Sequence, residues 1–376
     1  MKKLLTLSLC LLLSACSSPN NSVEPILDEY DQQIANMSLR EKVGQLFIIR
    51  PDALRLNQSQ SDISNPYLEG LTTLDEEAIA AYNEYPVGGF VLFTKNILDG
   101  NQVKAFNDEL QTLSSIKQFI AIDEEGGSIA RLANNPNFDL PTYKVDRSDI
   151  DSADDAYNMG LTIGQYLSDY GFNLDFAPVA DVNTNPDNPV IGDRAFSNDP
   201  NTVAEYAEAM AQGLNEKGIL STFKHFPGHG DTAEDSHYGV AYTRKTAEEM
   251  AECEWIPFTK AKDFVMVGHV VAPNVTNEKQ LATLSPYLVT DVLKNQLGFK
   301  GLVITDSLAM QAVTDHYSAS EAAIKAIEAG CDILLMPNGL EEAFEGILSA
   351  IEKGRISEER INQSVKKILE VKNSMQ

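Results

Sequence analysis

The sequence predicts an α/β protein, a single-domain (β/α)8 barrel of the TIM type. Short apolar runs alternate along the chain with longer amphipathic segments, and eight of each can be distinguished. Most of the runs are continuously apolar, as expected for parallel strands that are covered on both faces. An open, doubly wound sheet shows the same alternation, so periodicity alone leaves that architecture as the alternative.

The predicted elements follow one another without an interdomain linker. Ser38 and Glu41 have the spacing of a capping box, which predicts the start of the opening helix. The predicted strands are residues 45–49, 88–93, 119–123, 174–179, 219–223, 264–271, 302–305 and 333–336. The predicted helices are residues 74–85, 102–113, 153–169, 202–217, 247–263, 286–297, 319–329 and 340–353, and a further helix closes the chain at 357–373.

Polar residues interrupt or follow several of these apolar runs. They are Asp123 to Glu125, Asp181, Lys224 with His225, His269, and Asp306. Helix capping or a packed polar side chain would explain any one of them. In a barrel, however, the C-terminal ends of the strands and the loops that follow form the active site. Convergence of five such groups at one mouth therefore predicts a functional site.

Asp306 shows this pattern most sharply, because the apolar strand 302–305 ends abruptly in its carboxylate. As the N-cap of the next helix it would contribute about 1 kcal/mol. As a side chain that projects into the barrel mouth it would be a nucleophile.

The segment from Lys224 to His237 holds three of the five histidines, together with acidic residues, glycines and a proline. Asp235 precedes His237 by two residues, a spacing at which a carboxylate can orient an imidazole and raise its pKa. A zinc-binding loop is the rival interpretation. The spacing matches neither two histidines on one helix face nor a Cys-x-x-Cys pair. We therefore expect catalysis without a metal or other cofactor.

The first 15 residues predict a lipoprotein signal peptide. A basic start (residues 1–3) precedes an apolar run (residues 4–13) that is too short to span a bilayer. Residues 13–16, Leu-Ser-Ala-Cys, resemble the cleavage motif of bacterial lipoproteins, which implies lipidation of Cys16. Residues 16–30 would then be a tether and residues 31–376 the folded domain. An ordinary signal peptide with a coincidental cysteine is the alternative.

The net charge of −26 and the pI near 4.5 argue against nucleic acid and anionic surfaces as electrostatic partners. A domain of this length can bury a large core without disulfides. We expect Cys253 and Cys331 to be buried thiols, although a disulfide between them stays open.

Four segments occur in a characteristic order: residues 122–127 (Ile-Asp-Glu-Glu-Gly-Gly) with Arg131, 192–196 (Gly-Asp-Arg-Ala-Phe), 224–237, and 304–307 (Ile-Thr-Asp-Ser). They resemble the bacterial exo-β-N-acetylglucosaminidases of glycoside hydrolase family 3. The resemblance covers the chain from about residue 38 to its end, and residues 224–237 match the family motif at every defined position.

The resemblance implies roles for individual residues. Asp306 corresponds to the nucleophile of a retaining mechanism, His237 to the general acid/base, and Asp235 to the residue that orients it. Side chains expected to hold sugar hydroxyls are Asp123, Arg131, Arg194, Lys224 and His225, and His269 is expected to line the same mouth. The residues from 31 to the C-terminus would thus be a glycoside hydrolase domain.

Several alternatives stay open. Phosphate could replace water as the acceptor, the barrel could accept β-glucosides or β-xylosides, or the protein could be an inactive sugar-binding lipoprotein. Related β-glucosidases carry their acid/base on a second domain; we expect no such domain here, which favours the N-acetylglucosaminidase branch. We expect a monomer, lipid-anchored outside the cytoplasmic membrane of a bacterium and not bound to nucleic acid. Its substrate would be a GlcNAc-containing glycan, from peptidoglycan turnover or from chito-oligosaccharides.

Overall fold

The structure, a computed structural model, describes residues 28–143, 149–235, 239–276 and 279–375. The signal peptide, Cys16 and most of the tether lie outside these ranges, as does His237. The capping box at the start of the domain is confirmed. The Glu41 carboxylate accepts a bond from the Ser38 backbone N–H at 2.7 Å, and Ser38 Oγ accepts one from the Glu41 N–H at 3.2 Å.

Eight parallel strands form a closed barrel. They are β1 (Phe47–Ile49), β2 (Gly89–Val91), β3 (Phe119–Ile122), β4 (Leu174–Asp175), β5 (Thr222–Phe226), β6 (Phe264–Val267), β7 (Leu302–Thr305) and β8 (Leu334–Leu335). Ladders join β8 to β1, the strands from β1 to β4 in sequence, and the strands from β5 to β7. Parallel bridges close the two remaining seams, Leu174 to Leu220 between β4 and β5 and Ile304 to Ile333 between β7 and β8. The predicted barrel is therefore confirmed, and an open sheet is excluded.

Helices surround this ring. They are Glu29–Asn36, Leu39–Gln45, Gln60–Ser64, Glu76–Glu84, Gly100–Gln111, Ala153–Asp169, Pro200–Glu216, Ala247–Ala251, Pro273–Thr276, Gln311–Thr314, Ala319–Ala329, Leu340–Glu352 and Glu358–Ser374, with a π-helix at Tyr287–Gln296. The predictions for 153–169 and 319–329 agree with the structure at both ends. Within the described ranges, none of the helices is both long and apolar enough to cross a membrane.

Several predicted elements were wrong in extent, and the strand predicted at 174–179 ends at Asp175. The helix predicted at 247–263 ends at Ala251, and a separate 3₁₀ turn lies at Pro257–Lys260. Pro257 has no N–H with which to continue a helix through this segment. The strand predicted at 264–271 breaks after Val267, and Val270–Val271 pairs instead with Ala241–Tyr242 in a small separate sheet. The strand predicted at 219–223 lies later, at Thr222–Phe226. Two residues expected on the following loop, Lys224 and His225, therefore belong to the strand itself.

The N-terminal end of the barrel is sealed by aromatic side chains and a lysine. The rings of Phe119 and Phe264 meet edge to face at 5.5 Å. Lys372, from the last helix, lies over Phe119 and donates to Gln45 Oε1 at 2.8 Å and to the Gly88 carbonyl at 2.6 Å. Burial lowers the pKa of this lysine to about 7.

The two cysteines in the described ranges, Cys253 and Cys331, are free thiols. Cys331 is buried, as expected, whereas Cys253 is only half-buried. This resolves the question of a disulfide between them.

Candidate active site

A cavity of about 300 Å³ opens at the C-terminal mouth of the barrel. Its lining residues are Arg50, Phe93, Asp123, Glu125, Ile129, Arg131, Phe176, Arg194, Lys224, His225, Met266, Asp306, Ser307, Met310, Leu335 and Met336. Most of them lie at strand ends or on the loops that follow, where barrel enzymes place their active sites. Six of the site residues predicted from the sequence are thus brought to one cavity: Asp123, Arg131, Arg194, Lys224, His225 and Asp306.

A network of opposite charges forms one wall. Lys224 Nζ lies 2.9 Å from Asp123 Oδ1 and 2.6 Å from Glu125 Oε1. Arg194 binds Glu125 through two bonds of 2.9 and 2.7 Å, and Arg131 lies 3.5 Å from Asp123. Buried charges persist only when they are paired in this way. The wall consequently presents fixed donors and acceptors that suit the hydroxyl groups of a sugar.

The pKa values of the two carboxylates reflect this pairing. Burial alone would raise the pKa of Glu125, but Lys224 and Arg194 lower it to about 2. Burial opposes ionisation of Asp123 in the same way, and Lys224 and Arg131 again hold its pKa below the ordinary value. Both groups are therefore anionic at neutral pH and act as hydrogen-bond acceptors only.

Asp181 fixes the orientation of His225. Its Oδ2 lies 2.7 Å from His225 Nδ1, and its Oδ1 accepts a 2.6 Å bond from the backbone N–H of His229. Burial would raise the pKa of Asp181, but the two histidines lower it, so the group is a carboxylate. Because a carboxylate only accepts, His225 Nδ1 must carry the proton. That tautomer leaves Nε2 for a ligand in the cavity.

Asp306 follows β7 directly and lies on the cavity wall. Its Oδ1 accepts a 2.7 Å bond from the N–H of Ser307, the next residue. The next helix begins at Gln311, and its N-cap is Met310. Asp306 is therefore not an N-cap, and the simplest structural explanation for its carboxylate does not apply.

The loop after β5 is docked onto the loop after β4. Asn188 Nδ2 donates to the His229 carbonyl at 2.8 Å, and the N–H of Asn185 donates to the Gly230 carbonyl at 3.1 Å. A Cβ atom on Gly230 would lie 1.9 Å from the carbonyl oxygen of Val182, so only glycine allows this approach. The first part of the loop is thereby held against the barrel.

A second set of contacts anchors Asp231 on the same loop. Thr243 Oγ1 donates to Asp231 Oδ2 at 3.0 Å, and Lys245 Nζ lies 3.8 Å from Asp231 Oδ1. Lys245 also donates to the buried carboxylate of Glu254. Burial raises the pKa of Glu254, and the bond from Lys245 opposes this shift. We call Asp231, Lys245 and Glu254 the loop anchor.

Asp235 is the last described residue of this loop before 236–238. His237 lies outside the described residues, so the orientation of its imidazole by Asp235 stays a prediction. In the described ranges, no group of three or more His, Cys, Asp or Glu side chains is arranged to hold a metal ion.

His269 does not occupy the position expected for it. It is fully buried and absent from the cavity wall, with Nδ1 2.8 Å from Thr283 Oγ1 and Nε2 2.8 Å from the Ser307 carbonyl. The strand ends at Val267, so His269 lies beyond it, in the segment before Val270–Val271. His269 contacts the backbone next to Asp306 and is not among the residues that line the cavity.

The sequence analysis missed several residues of the wall, among them Arg50, Phe93 and Met336, and it gave Glu125 no individual role. Arg50 follows β1 directly, so it carries the signal that identified Asp306, a charge at the end of an apolar strand. Met336 has a φ of 45°, a left-handed conformation that is uncommon for a residue other than glycine and that clusters at functional sites. The sequence gives no comparable signal for Met336.

Comparison with known proteins identifies the family. Residues 38–371 match the glycosyl hydrolase family 3 N-terminal domain. Beta-hexosaminidase A of Pseudoalteromonas piscicida is 30% identical over 340 residues, which cover 81% of this chain and 56% of that protein. A beta-hexosaminidase of Nitrosomonas eutropha is 31% identical over 309 residues, 78% of this chain and 88% of that protein.

Solved structures agree with the family match. A glycoside hydrolase family 3 beta-N-acetylglucosaminidase from Paenibacillus sp. str. FPU-7 has a TM-score of 0.81 and 35% identity, covering 90% of this chain and 62% of that one. A beta-N-acetylhexosaminidase from Beutenbergia cavernae has a TM-score of 0.77 and 26% identity, covering 90% and 99%. The chain thus spans little more than half of some relatives and nearly all of others. It belongs to glycosyl hydrolase family 3, and its barrel corresponds to the N-terminal domain of that family.

Proposed function

We propose that the protein is a retaining exo-β-N-acetylglucosaminidase that removes terminal GlcNAc from the non-reducing end of a glycan. The observation that carries this proposal is the position of Asp306 on the wall of a cavity whose other groups are paired hydroxyl-binding residues. The similarity to two beta-hexosaminidases and to the Paenibacillus beta-N-acetylglucosaminidase supports the choice of sugar.

In the first step, a carboxylate oxygen of Asp306 bonds to the anomeric carbon while the bond from that carbon to the leaving oxygen breaks. The imidazolium of His237 donates its proton to that oxygen. In the second step, the neutral imidazole takes a proton from water, and the water oxygen displaces Asp306 from the anomeric carbon. Asp123, Lys224 and His225 hold the sugar during both steps. Two inversions at the same carbon retain the β-configuration.

The position of the protein in the cell is part of the proposal. Lipidation at Cys16 would anchor it outside the cytoplasmic membrane, where peptidoglycan fragments and chito-oligosaccharides are the glycans of the right type. Replacing Cys16 by serine should abolish labelling with a palmitate analogue. Wild-type protein that fractionates as soluble and carries no lipid would contradict the anchor, without bearing on the catalytic proposal.

A paired assay tests the activity. The purified protein should hydrolyse 4-nitrophenyl N-acetyl-β-glucosaminide much faster than the corresponding β-glucoside or β-xyloside. Adding inorganic phosphate distinguishes the acceptors, since phosphorolysis would yield the sugar 1-phosphate. A protein that binds GlcNAc and cleaves none of the three glycosides would contradict the proposal in favour of a binding lipoprotein.

Trapping identifies the nucleophile. A 2-fluoro or 5-fluoro glycosyl donor slows breakdown of the covalent intermediate, so mass spectrometry of a digest should find the label on Asp306. The Asp306→Asn variant should take up no label and should lose turnover while it unfolds at a similar temperature, because the side chain lies at the mouth and not in the core. A label on another residue would refute the assignment.

A further inference from the structure

Arg50 is a fixed cation on the cavity wall. It follows β1 directly, and its guanidinium carbon lies 3.9 Å from the ring centroid of Phe93. Its Nε donates to Met336 Sδ at 3.2 Å and its Nη1 donates to the Ile63 carbonyl at 3.3 Å. Contacts on three sides hold the guanidinium plane in one orientation, which reduces the entropy lost when it binds a ligand.

The charge of Arg50 is not neutralised locally. The other cations of the wall, Arg131, Arg194 and Lys224, each have a carboxylate within the salt-bridge distance. Among the residues that the structure describes, Arg50 has none within 4.0 Å. Burial lowers its pKa, but a guanidinium stays protonated at any physiological pH.

The acidic residue nearest to Arg50 in the sequence, Asp52, binds other partners. Asp52 is buried and accepts bonds from the Leu71 N–H at 3.0 Å and from Asn96 Nδ2 at 2.8 Å. It also lies 3.3 Å from Lys95 Nζ. Asp52 therefore acts on Arg50 only at longer range.

Arg50 also keeps donors for a ligand. A guanidinium has five N–H groups, and in the described part of the chain two of those of Arg50 meet an acceptor, one of them only a thioether sulfur. A planar fork of N–H groups matches a carboxylate or a phosphate and can bind it through two parallel bonds. A neutral sugar would leave the positive charge of this partly buried group balanced only by the longer-range attraction of Asp52 and Asp123.

We propose that Arg50 forms a subsite for an anionic group, a carboxylate or a phosphate, carried by the carbohydrate substrate. The inference rests on the proposed function in that the cavity must bind a carbohydrate. Arg131 lies 5.2 Å from the same Phe93 ring and contacts Asp123. Arg50 is thus adjacent to the wall that would hold the sugar to be cleaved, so an anionic substituent on that sugar is favoured over one on its neighbour.

Kinetics with matched substrates test the subsite. The rate constant kcat/KM should be at least about tenfold higher for the 6-phosphate of 4-nitrophenyl N-acetyl-β-glucosaminide than for the parent compound. A neutral N,N′-diacetyl disaccharide and its analogue with a carboxylate ether on the reducing sugar form the second pair. A preference in the first pair places the anion on the cleaved sugar, and a preference in the second places it on the neighbour.

Substitutions assign the preference to Arg50. In Arg50→Gln the ratio of anionic to neutral substrate should fall about tenfold or more, because a charge-assisted bidentate contact is lost. Arg50→Lys should retain part of the ratio, since it keeps the charge and loses the fork. Arg55→Gln is the matched control, because it removes a guanidinium of the same loop that binds Asp75 and Glu77 outside the cavity. It should leave the ratio unchanged.

Binding measurements test the anionic subsite independently of the proposed catalytic activity. Calorimetric titration with N-acetylglucosamine and with its 6-phosphate needs no turnover, and N-acetylmuramic acid supplies a carboxylate in place of the phosphate. Tighter binding of an anionic sugar to wild type, lost in Arg50→Gln, would support the subsite even if no glycoside were cleaved. Equal affinities and equal rates for charged and neutral sugars would overturn it. Equal losses on both substrates in Arg50→Gln would also overturn it, and would mean that Arg50 only balances the charge of nearby carboxylates such as Asp123.

Discussion

His269 Nε2 lies 2.8 Å from the carbonyl oxygen of Ser307, the residue that follows Asp306. Because a carbonyl oxygen only accepts, Nε2 must carry the ring proton. Nδ1 lies 2.8 Å from Thr283 Oγ1, whose oxygen is also 2.7 Å from the Gly268 carbonyl. The buried imidazole therefore joins the ends of two strands and fixes the backbone that carries the candidate nucleophile.

This contact predicts that His269 acts on kcat more than on KM. His269→Ala should lower kcat at least tenfold and the free energy of unfolding by about 1–3 kcal/mol, because it leaves a buried carbonyl without its donor. His269→Gln should retain more of both, since its amide can donate to the same oxygen. The rate of labelling by the fluoro sugar measures the effect at Asp306. If His269→Ala raised KM and left kcat unchanged, His269 would instead be a residue that contacts the sugar.

The mouth of the barrel was predictable in part. A carboxylate such as Asp306 at the end of an apolar strand is visible in the sequence, since local hydrophobicity defines where the strand stops. The partnership of Lys224 with Asp123 joins residues 101 positions apart, and only the closure of the barrel brings them together. The end of β6 at Val267, before His269, is not specified by residue type, because Val270 and Val271 continue the apolar run. Arg50 shows the same signal as Asp306, a charged residue directly after an apolar strand.

The lysine that seals the barrel predicts a pH dependence of stability. The pKa of Lys372 is about 7 in the folded state and about 10.4 in an unfolded chain. Between these values the unfolded chain binds the proton and the folded chain does not, so the free energy of unfolding should rise with pH. The slope contributed by this group is at most about 1.4 kcal/mol per pH unit.

Urea unfolding of wild type and Lys372→Met between pH 6 and pH 10 measures this slope as a difference. Wild type should gain stability relative to the variant from about pH 7 upwards. Lys366→Met is the control on the same helix. Asp28 and Asp31 raise the pKa of Lys366, so its loss should not change the slope in this window. Parallel curves for wild type and Lys372→Met would show that Lys372 is charged in the folded state throughout.

The acid/base role of His237 predicts a dependence on the leaving group. His237→Ala should slow cleavage of glycosides with sugar leaving groups roughly 10²–10⁴-fold, and should affect activated phenols far less, because these need no proton to depart. Azide should partly restore turnover of the activated substrate, since it attacks the glycosyl-enzyme without a general base. Equal losses on both substrates without azide rescue would move the role to another group, with His229 and Glu234 of the same loop the next to be tested.

The loop anchor should affect catalysis because it holds the loop after β5, which carries His237. Lys245 binds Glu254 and lies 3.8 Å from Asp231, so Lys245→Met removes the cation that joins the loop to the barrel. It also leaves the Glu254 carboxylate buried without its partner, which should lower the free energy of unfolding by about 1–3 kcal/mol.

The kinetic signature of Lys245→Met should resemble a mild form of His237→Ala, with sugar leaving groups affected more than activated phenols, because Asp231 and His237 share one short loop. Adding Glu254→Gln should recover part of the lost stability, since the buried charge is then absent, but should not recover the catalytic loss. Lys260→Met is the control. Lys260 lies on the neighbouring 3₁₀ turn and forms a surface pair with Glu208, so its loss should change neither the free energy of unfolding nor the rate of cleavage appreciably. If Lys245→Met slowed good and poor leaving groups equally, the anchor would serve the stability of the barrel and not the placement of the acid/base.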